Sequence, residues 1–279
     1  MVIDKFLHKQ LNIPYKLHIQ YTRKSSKPRA TIVFLHGIGS SGAEWQAVVD
    51  ALPKDLSIIT IDLLGFGTSP RPDWARYDAR EQARSVIATL LRYGVRGKVM
   101  VVGHSLGALV AVEVAKRYPV LVSSLVLCSP PFYNPDRDGR LPNSDRILQT
   151  LFGQVERNQT YFLKLATLAI KYKLVNPAFS VTEETLPTYV QTLKASIISQ
   201  SAYDDVMTLK CPITIIYGAL DPLVIDKNVK AVAKANPHVT LARIIVGHEI
   251  IGRFVPTVVE RIMYHIKQKE TKHERKTNT

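Results

Sequence analysis

Short runs of apolar, mostly β-branched residues alternate with longer amphipathic stretches along most of the chain. Seven such runs predict β-strands, at 16–22, 31–37, 56–65, 98–104, 123–129, 212–219 and 239–247. From the second run onward most are apolar at successive positions, which is typical of parallel strands covered on both faces. Amphipathic stretches predict helices at 42–52, 78–94, 106–119, 226–237 and 255–267. The alternation predicts an α/β fold with a doubly wound, mostly parallel sheet.

The alternation stops between about 131 and 210, where no convincing strand pattern occurs. Helical patterns fill this interval at 144–158, 160–175 and 182–200. Prolines stand at both borders, as Pro130, Pro131 and Pro212. We therefore predict a core formed by 1–130 and 211–267, a helical cap over 131–210, and a basic, disordered tail over 268–279.

Length and composition are those of one large globular domain, with 279 residues of which 46% are hydrophobic and 22% charged. No apolar run is long enough for a transmembrane helix, and the N-terminus lacks the pattern of a signal peptide. Cys128 and Cys211 fall at opposite ends of successive predicted strands, so we expect two reduced thiols. These features predict a cytoplasmic location.

The net charge of +14 raises the question of a nucleic-acid partner. Residues 1–30 contribute +6 and residues 267–279 contribute +3, so the charge lies mostly at the two ends of the chain. No nucleic-acid-binding motif accompanies it. The sequence therefore predicts no nucleic-acid partner, leaves weak association with an acidic surface open, and indicates no oligomeric state.

The segment "VVGHSLGA", residues 101–108, places Ser105 between Gly103 and Gly107 where a predicted strand turns into a predicted helix. A serine on such a turn is exposed at the carboxyl edge of the sheet and becomes a nucleophile if a base takes its proton. His248 follows the last predicted strand and Asp221 follows the one before it, so all three meet at the same edge. Serine, acid and histidine in this order predict a catalytic triad.

Four motifs agree in order: "HGIG" at 36–39, "DLLGFGTS" at 62–69, "GHSLG" at 103–107, and the late "GALD" and "GH". Together they resemble the α/β-hydrolase superfamily, in its serine-nucleophile, esterase-like branch with a helical cap. The resemblance spans roughly 15–130 and 211–267. It implies that the backbone N–H groups of Ile38 and Leu106 form an oxyanion hole.

Other polar residues near these motifs have structural interpretations. His36 is expected to order its own loop, His104 to be structural although it flanks Ser105, and Asp62 to form a turn. Asp226, the nearest alternative acid, is expected to cap the next helix. No Cys/His cluster or Gly-Lys-Ser motif occurs, so we expect no metal and no cofactor.

The cap is expected to determine the substrate. Its aromatic side chains suggest an apolar pocket roof for a medium acyl or aromatic group. The candidate pocket residues are His36, Gly37, Phe132, Tyr133, Phe152, Tyr161 and Phe162. We expect most of these aromatics also to pack the cap onto the core.

The favoured hypothesis is a serine hydrolase that cleaves a carboxylic ester through an acyl-enzyme intermediate, with a small-molecule ester of an apolar acyl group as its substrate. Cofactor-free carbon–carbon hydrolase, lactonase, thioesterase and acyltransferase activities remain alternatives on the same triad. Dehalogenases and epoxide hydrolases of this fold are disfavoured because they need Asp at position 105. A non-catalytic ligand-binding protein of the same fold is the rival from another class.

Overall fold

The computed structural model describes residues 2–133, 153, 155 and 157–277. Within this part of the chain, seven strands form one sheet in the order β1-β3-β2-β4-β5-β6-β7. Only β1 is antiparallel to its neighbour, and the other neighbouring pairs are parallel. The strands are β1 Ile19–Arg23, β2 Thr31–Leu35, β3 Ser57–Ile61, β4 Val99–His104, β5 Val122–Cys128, β6 Ile213–Gly218 and β7 Val239–Ile244. The predicted mostly parallel α/β sheet is confirmed.

Helices connect the strands and cover both faces of the sheet. They are α1 Val2–Lys5, α2 Gln46–Ala51, α3 Ala79–Arg92, α4 Leu106–Arg117, α5 Gln159–Lys171, α6 Leu186–Thr192, α7 Ala202–Thr208, α8 Asp226–Ala235 and α9 Phe254–Thr277. A 3₁₀ turn at Gly42–Trp45 precedes α2, and π-helical turns occur at Phe6–Gln10 and Leu193–Ile198.

Two apolar layers explain why the strands are hydrophobic at successive positions. In β2, Val33 and Leu35 pack on one side of the sheet with α3, α4 and α8. Ile32 and Phe34 point to the other side, where they pack with α2 and α9. Since side chains alternate between the faces of a strand, a strand covered on both faces must be apolar throughout.

The interval between β5 and β6 contains α5, α6, the π-helical turn and α7, and its described residues include no strand. The helical patterns at 160–175 and 182–200 match these elements. Nearly all of the pattern at 144–158 lies outside the described residues. None of the described helices is long and apolar enough to cross a membrane. Cys128 and Cys211 are both free thiols.

The last helix differs from the prediction. α9 continues through Thr277, where composition predicts a disordered tail from residue 268. The basic and acidic residues of this segment are good helix formers when they extend an existing helix. One contact also anchors it, because the Arg29 guanidinium donates two hydrogen bonds to the Glu270 carboxylate, at 2.8 and 3.0 Å.

Candidate active site

Ser105 is the single residue between β4 and α4, and its backbone is strained. Its φ of 51° and ψ of −114° are unusual for a residue with a side chain. The Ser105 N–H donates to the Cys128 carbonyl at 2.9 Å. A Cβ atom at Gly103 would collide with the backbone of Gly107, and one at Gly107 would collide with the Leu35 carbonyl. The two glycines thus allow the close approach that the sharp turn requires.

His248 and Asp221 follow the adjacent strands β7 and β6, and they are in contact. His248 Nδ1–H donates to Asp221 Oδ2 at 2.8 Å, and the Leu223 N–H donates to Oδ1 at 2.8 Å. Burial raises the pKa of Asp221, but the hydrogen bond and charge of His248 outweigh burial, so this pKa lies below its ordinary value. An ionised Asp221 accepts from His248 Nδ1–H, which leaves Nε2 as the nitrogen that can accept a proton.

Asp226, the alternative acid, is held elsewhere. Its carboxylate accepts a hydrogen bond from the Tyr217 hydroxyl at 2.9 Å and pairs with Lys230 at 2.6 Å. The expectation that Asp226 caps α8 is wrong, because Asp226 is the first residue of the helix and Ile225 holds the N-cap position. The structure therefore brings Asp221, and not Asp226, to His248.

The "HG" loop is ordered by a buried histidine. His36 Nδ1–H donates to the Gly37 carbonyl at 2.7 Å, and His36 Nε2 accepts from the Leu63 N–H at 2.9 Å. Complete burial lowers the pKa of His36, which fits the neutral tautomer that these two bonds require. Ile38 lines the same cavity as Ser105. Leu106, the first residue of α4, carries an N–H for which the helix offers no acceptor.

A buried carboxylate that the sequence analysis missed joins this loop to the histidine loop. Glu44 Oε1 accepts from His104 Nδ1–H at 2.8 Å, and Glu44 Oε2 accepts from the Gly37 N–H at 3.2 Å. His104 Nε2–H donates to the carbonyl of His248 at 3.0 Å. Burial alone would lower the pKa of His104, but the charge of Glu44 raises it to about 9. Burial likewise opposes ionisation of Glu44, yet His104 lowers its pKa.

This ion pair therefore ties three chain segments together around Ser105. One feature of the sequence could have predicted this buried pair. Trp45, Val48, Val49 and Leu52 form a buried helical stripe, and Glu44 lies at its edge beside Val48. A carboxylate on a buried stripe needs a charged or hydrogen-bonding partner.

Ser105 and His248 open into one cavity of about 100 Å³. Its lining combines the loops just described with residues from the interval between β5 and β6. The lining residues are Gly37, Ile38, Ser40, Glu44, His104, Ser105, Pro131, Phe179, Tyr189, Leu193, Ile197, Leu223, His248 and Glu249. Phe179, Tyr189, Leu193 and Ile197 were not predicted, although the last three repeat at helical spacing in the sequence.

The predicted roof aromatics lie elsewhere. Phe132 and Tyr133 are buried in the main apolar core. Phe162 stands behind the cavity wall, with its ring 5.2 Å from that of Tyr189. Tyr161 is 63% exposed. Phe152 lies outside the described residues.

Within the part of the chain that the structure describes, no group of three or more His, Cys, Asp or Glu side chains could hold a metal ion.

Comparison with curated proteins finds relatives among hydrolases. The chain is 28% identical over 148 residues to probable lysophospholipase BODYGUARD 2 of Arabidopsis thaliana. This match covers 51% of this chain and 30% of that protein. It is 35% identical over 123 residues to 2-(acetamidomethylene)succinate hydrolase of Mesorhizobium japonicum, covering 44% and 42% of the two chains. The matched part spans less than half the length of either relative.

Among solved structures, the esterase EaEST from Exiguobacterium antarcticum superposes with a TM-score of 0.73 at 16% identity, covering 91% of this chain and 96% of that one. This likeness concerns the fold. The model of the alpha/beta hydrolase family matches residues 32–255, which include Ser105, Asp221 and His248. The chain therefore belongs to the alpha/beta hydrolase family.

Proposed function

We propose that this protein is a serine hydrolase that cleaves a carboxylic ester through an acyl-enzyme intermediate. One observation carries the proposal: Ser105, on its strained turn, opens into the same cavity as a histidine held by a buried carboxylate. The strained turn presents the hydroxyl, and the Asp221–His248 pair supplies the base that a serine needs. The hydrolases among the relatives support the reaction class.

In the first half of the reaction, His248 Nε2 takes the Ser105 proton while Oγ attacks the ester carbonyl. Asp221 stabilises the imidazolium that forms. The tetrahedral intermediate collapses when His248 returns the proton to the leaving alcohol, and the acyl group stays on Ser105. In the second half, His248 activates water, which attacks the acyl-enzyme and releases the acid.

The developing oxyanion needs donors beside Ser105, and the Ile38 and Leu106 N–H groups are the proposed pair. Leu106 offers the first N–H of α4, where the helix dipole also favours negative charge. Ile38 follows Gly37, whose N–H is held by Glu44 at 3.2 Å. This anchoring supports a preorganised hole, because a fixed donor needs no reorganisation as charge develops.

The cavity favours a neutral, apolar acyl group of small size. Ile38, Leu193, Ile197 and Leu223 supply apolar walls. Besides Glu44, the lining contains the carboxylate of Glu249, which accepts a hydrogen bond from the Asn176 N–H at 3.0 Å. Its negative charge would repel an anionic acyl group. A volume of about 100 Å³ is smaller than the roughly 150 Å³ that holds benzene in an engineered cavity.

The test combines turnover with covalent labelling. Wild type is expected to hydrolyse p-nitrophenyl acetate and to react with a fluorophosphonate, whereas Ser105→Ala should do neither and keep the same melting temperature. Ser26→Ala, at an exposed loop serine, serves as the matched control and should behave as wild type. Substantial esterase activity or labelling in Ser105→Ala contradicts the proposal.

A parallel panel of a lactone, a thioester and a vinylogous diketone tests the bond that is cleaved. The ester is expected to give the highest kcat/KM. If another substrate were preferred and its turnover were still abolished by Ser105→Ala, Ser105 would remain the nucleophile but the ester would not be the preferred substrate. Failure of the folded wild type both to label and to turn over any of these substrates would favour a binding protein of this fold.

A further inference from the structure

Against the residues that the structure describes, helix α5 packs along one side only, although it is apolar around most of its circumference. Ala166 is its one buried residue, and the neighbouring Phe162 ring contacts Tyr189 on the cavity wall. A helix that is apolar all round normally lies inside a core or against a partner. The outer side of α5 therefore needs something to cover it.

The uncovered side is a continuous stripe formed by Tyr161, Leu165, Leu168 and Tyr172. Their spacing of four, three and four residues places them on one face of the helix. They are 63%, 46%, 45% and 64% exposed, respectively. We call this face the α5 stripe.

Basic residues accompany the stripe, and acidic residues are missing from this part of the sequence. Lys164 and Lys171, seven residues apart, lie along the same side of it, and both are exposed. Residues 157–182 contain four basic residues and no Asp or Glu, and the nearest acidic residues in the sequence are Glu156 and Glu183. The partner should therefore be apolar beneath and negatively charged at its surface.

We infer that the α5 stripe docks the protein on the surface of a bilayer that contains anionic phospholipid. The 13-residue helix would lie in the plane of the interface, where leucine side chains enter the acyl boundary and tyrosines stay at headgroup depth. The lysine stems extend toward the phosphates, and each charge near an anionic surface strengthens binding.

A second copy of this chain fits the stripe less well. In a two-fold symmetric contact the same face meets itself, so each copy's lysines would lie close to those of the other. The chain already carries a net charge of +14, and no acidic residue within 157–182 would offset that repulsion. An anionic bilayer turns the same charges into attraction.

Co-sedimentation of the full chain with vesicles tests this inference. Wild type is expected to bind vesicles of phosphatidylcholine with 30% phosphatidylglycerol, and to bind pure phosphatidylcholine at least about tenfold more weakly. The double variant Leu165→Ser, Leu168→Ser should lose about tenfold or more of this affinity, because the buried apolar area disappears. Lys164→Glu, Lys171→Glu should lose a similar factor.

Two controls separate this site from general charge and general hydrophobicity. Leu91→Ser changes a 58% exposed leucine on α3, and Lys98→Glu, Lys234→Glu lowers the net charge as much as the α5 reversal does. Both should keep most of the vesicle binding. All variants should keep the melting temperature and the turnover of a soluble ester, so the outcome does not depend on the reaction proposed above.

The inference is overturned if wild type fails to bind the phosphatidylglycerol vesicles, or if the charge control weakens binding as much as the α5 reversal. It is also overturned if wild type is a dimer that the two serine substitutions convert to a monomer, with vesicle binding unchanged. If Phe6→Ser abolished vesicle binding and the α5 variants did not, the docking site would be the N-terminal segment and not the α5 stripe.

Discussion

At the scale of single residues, Asp221 determines which nitrogen of the His248 ring carries the proton. Its carboxylate accepts from His248 Nδ1–H and from the Leu223 N–H, both at 2.8 Å. An amide in its place can offer its NH₂ to Nδ1, which would move the imidazole proton to Nε2. Nε2 would then no longer accept the proton of Ser105.

We therefore expect Asp221→Asn to lower kcat for p-nitrophenyl acetate by about 10³ to 10⁴, with KM little changed. Asp226→Asn removes the other carboxylate after β6 and should cost less than about threefold, since Asp226 pairs with Tyr217 and Lys230. Steady-state kinetics of the two variants check this. Equal losses in both would show that Asp221 has no special role.

Removal of one partner from the buried Glu44–His104 pair should lower the stability of the fold. Glu44→Gln leaves the imidazolium of His104 without its counter-charge, and breaking one side of a buried pair costs about 3–5 kcal/mol. Denaturant unfolding at pH 6 measures this loss, and Asp50→Asn, at an exposed position next to α2's end, is the control. Adding His104→Asn to Glu44→Gln should recover part of the loss. A Glu44→Gln variant as stable as wild type would contradict a charged pair.

The pH dependence of that stability follows from the pKa directions. The folded-state pKa of His104 is raised from 6.5 to about 9, so its contribution is complete below 6.5 and is lost as pH rises through 9. The pKa of Glu44 is lowered from 4.5, so its contribution is present above 4.5 and is lost as pH falls. The difference in unfolding free energy between wild type and Glu44→Gln should therefore be largest between about pH 4.5 and 6.5 and should shrink toward pH 9.

Residue positions were predictable where they depend on strand ends and not where they depend on distant pairing. Ser105, Asp221 and His248 each follow a strand, so the parallel sheet brings them to one edge. Glu44 meets His104 across 60 residues of sequence. That contact becomes visible only in the folded chain, where the 3₁₀ turn that carries Glu44 packs against His104 at the end of β4.

At the scale of elements, the strand–turn–helix unit around Ser105 depends on two close backbone approaches. A methyl group at Gly107 would enter the space of the Leu35 carbonyl, which belongs to the central strand β2. Neither α4 nor β2 can shift freely, because both are buried within the main core. The clash must therefore be relieved by moving the turn itself.

We expect Gly107→Ala to destabilise the fold by about 3 kcal/mol or more and to lower activity further, since the turn that carries Ser105 is displaced. Gly247→Ala is the matched control for stability, because a Cβ atom there meets nothing within 4 Å. Thermal unfolding compares the two. A Gly107→Ala protein with the wild-type melting temperature would mean that the turn adapts without cost.

The elements also show where sequence patterns mislead. Apolar runs located the central strands β2 to β6 because a sheet covered on both faces demands them, whereas the edge strands β1 and β7 also carry exposed positions. Aromatic content did not locate the cavity roof. Phe132 is fully buried in the core, while Tyr161 faces outward. Periodicity identifies a helix but not which of two apolar faces packs inward, and α5 has two.

At the scale of the whole molecule, the cavity lies between the sheet core and the helices inserted after β5. The core supplies Ser105 and His248, and the inserted elements supply Tyr189, Leu193 and Ile197. Because each part contributes a different wall, the proposed catalytic residues and the rest of the cavity lining can change independently. Sequence motifs therefore predict the position of Ser105, Asp221 and His248 better than they predict the walls of the cavity.

The volume of about 100 Å³ leads to a prediction about acyl length. Esters of acetate and butyrate should be cleaved with higher kcat/KM than those of octanoate and palmitate, because a longer chain must displace packed side chains. Ile197→Ala opens the wall and should shift the preference toward longer chains by about tenfold, at a stability cost of about 2–4 kcal/mol. Leu165→Ala, on the outer face of α5, should leave the profile unchanged. If palmitate were preferred by wild type and the profile did not respond to Ile197→Ala, the acyl group would have to bind outside this cavity.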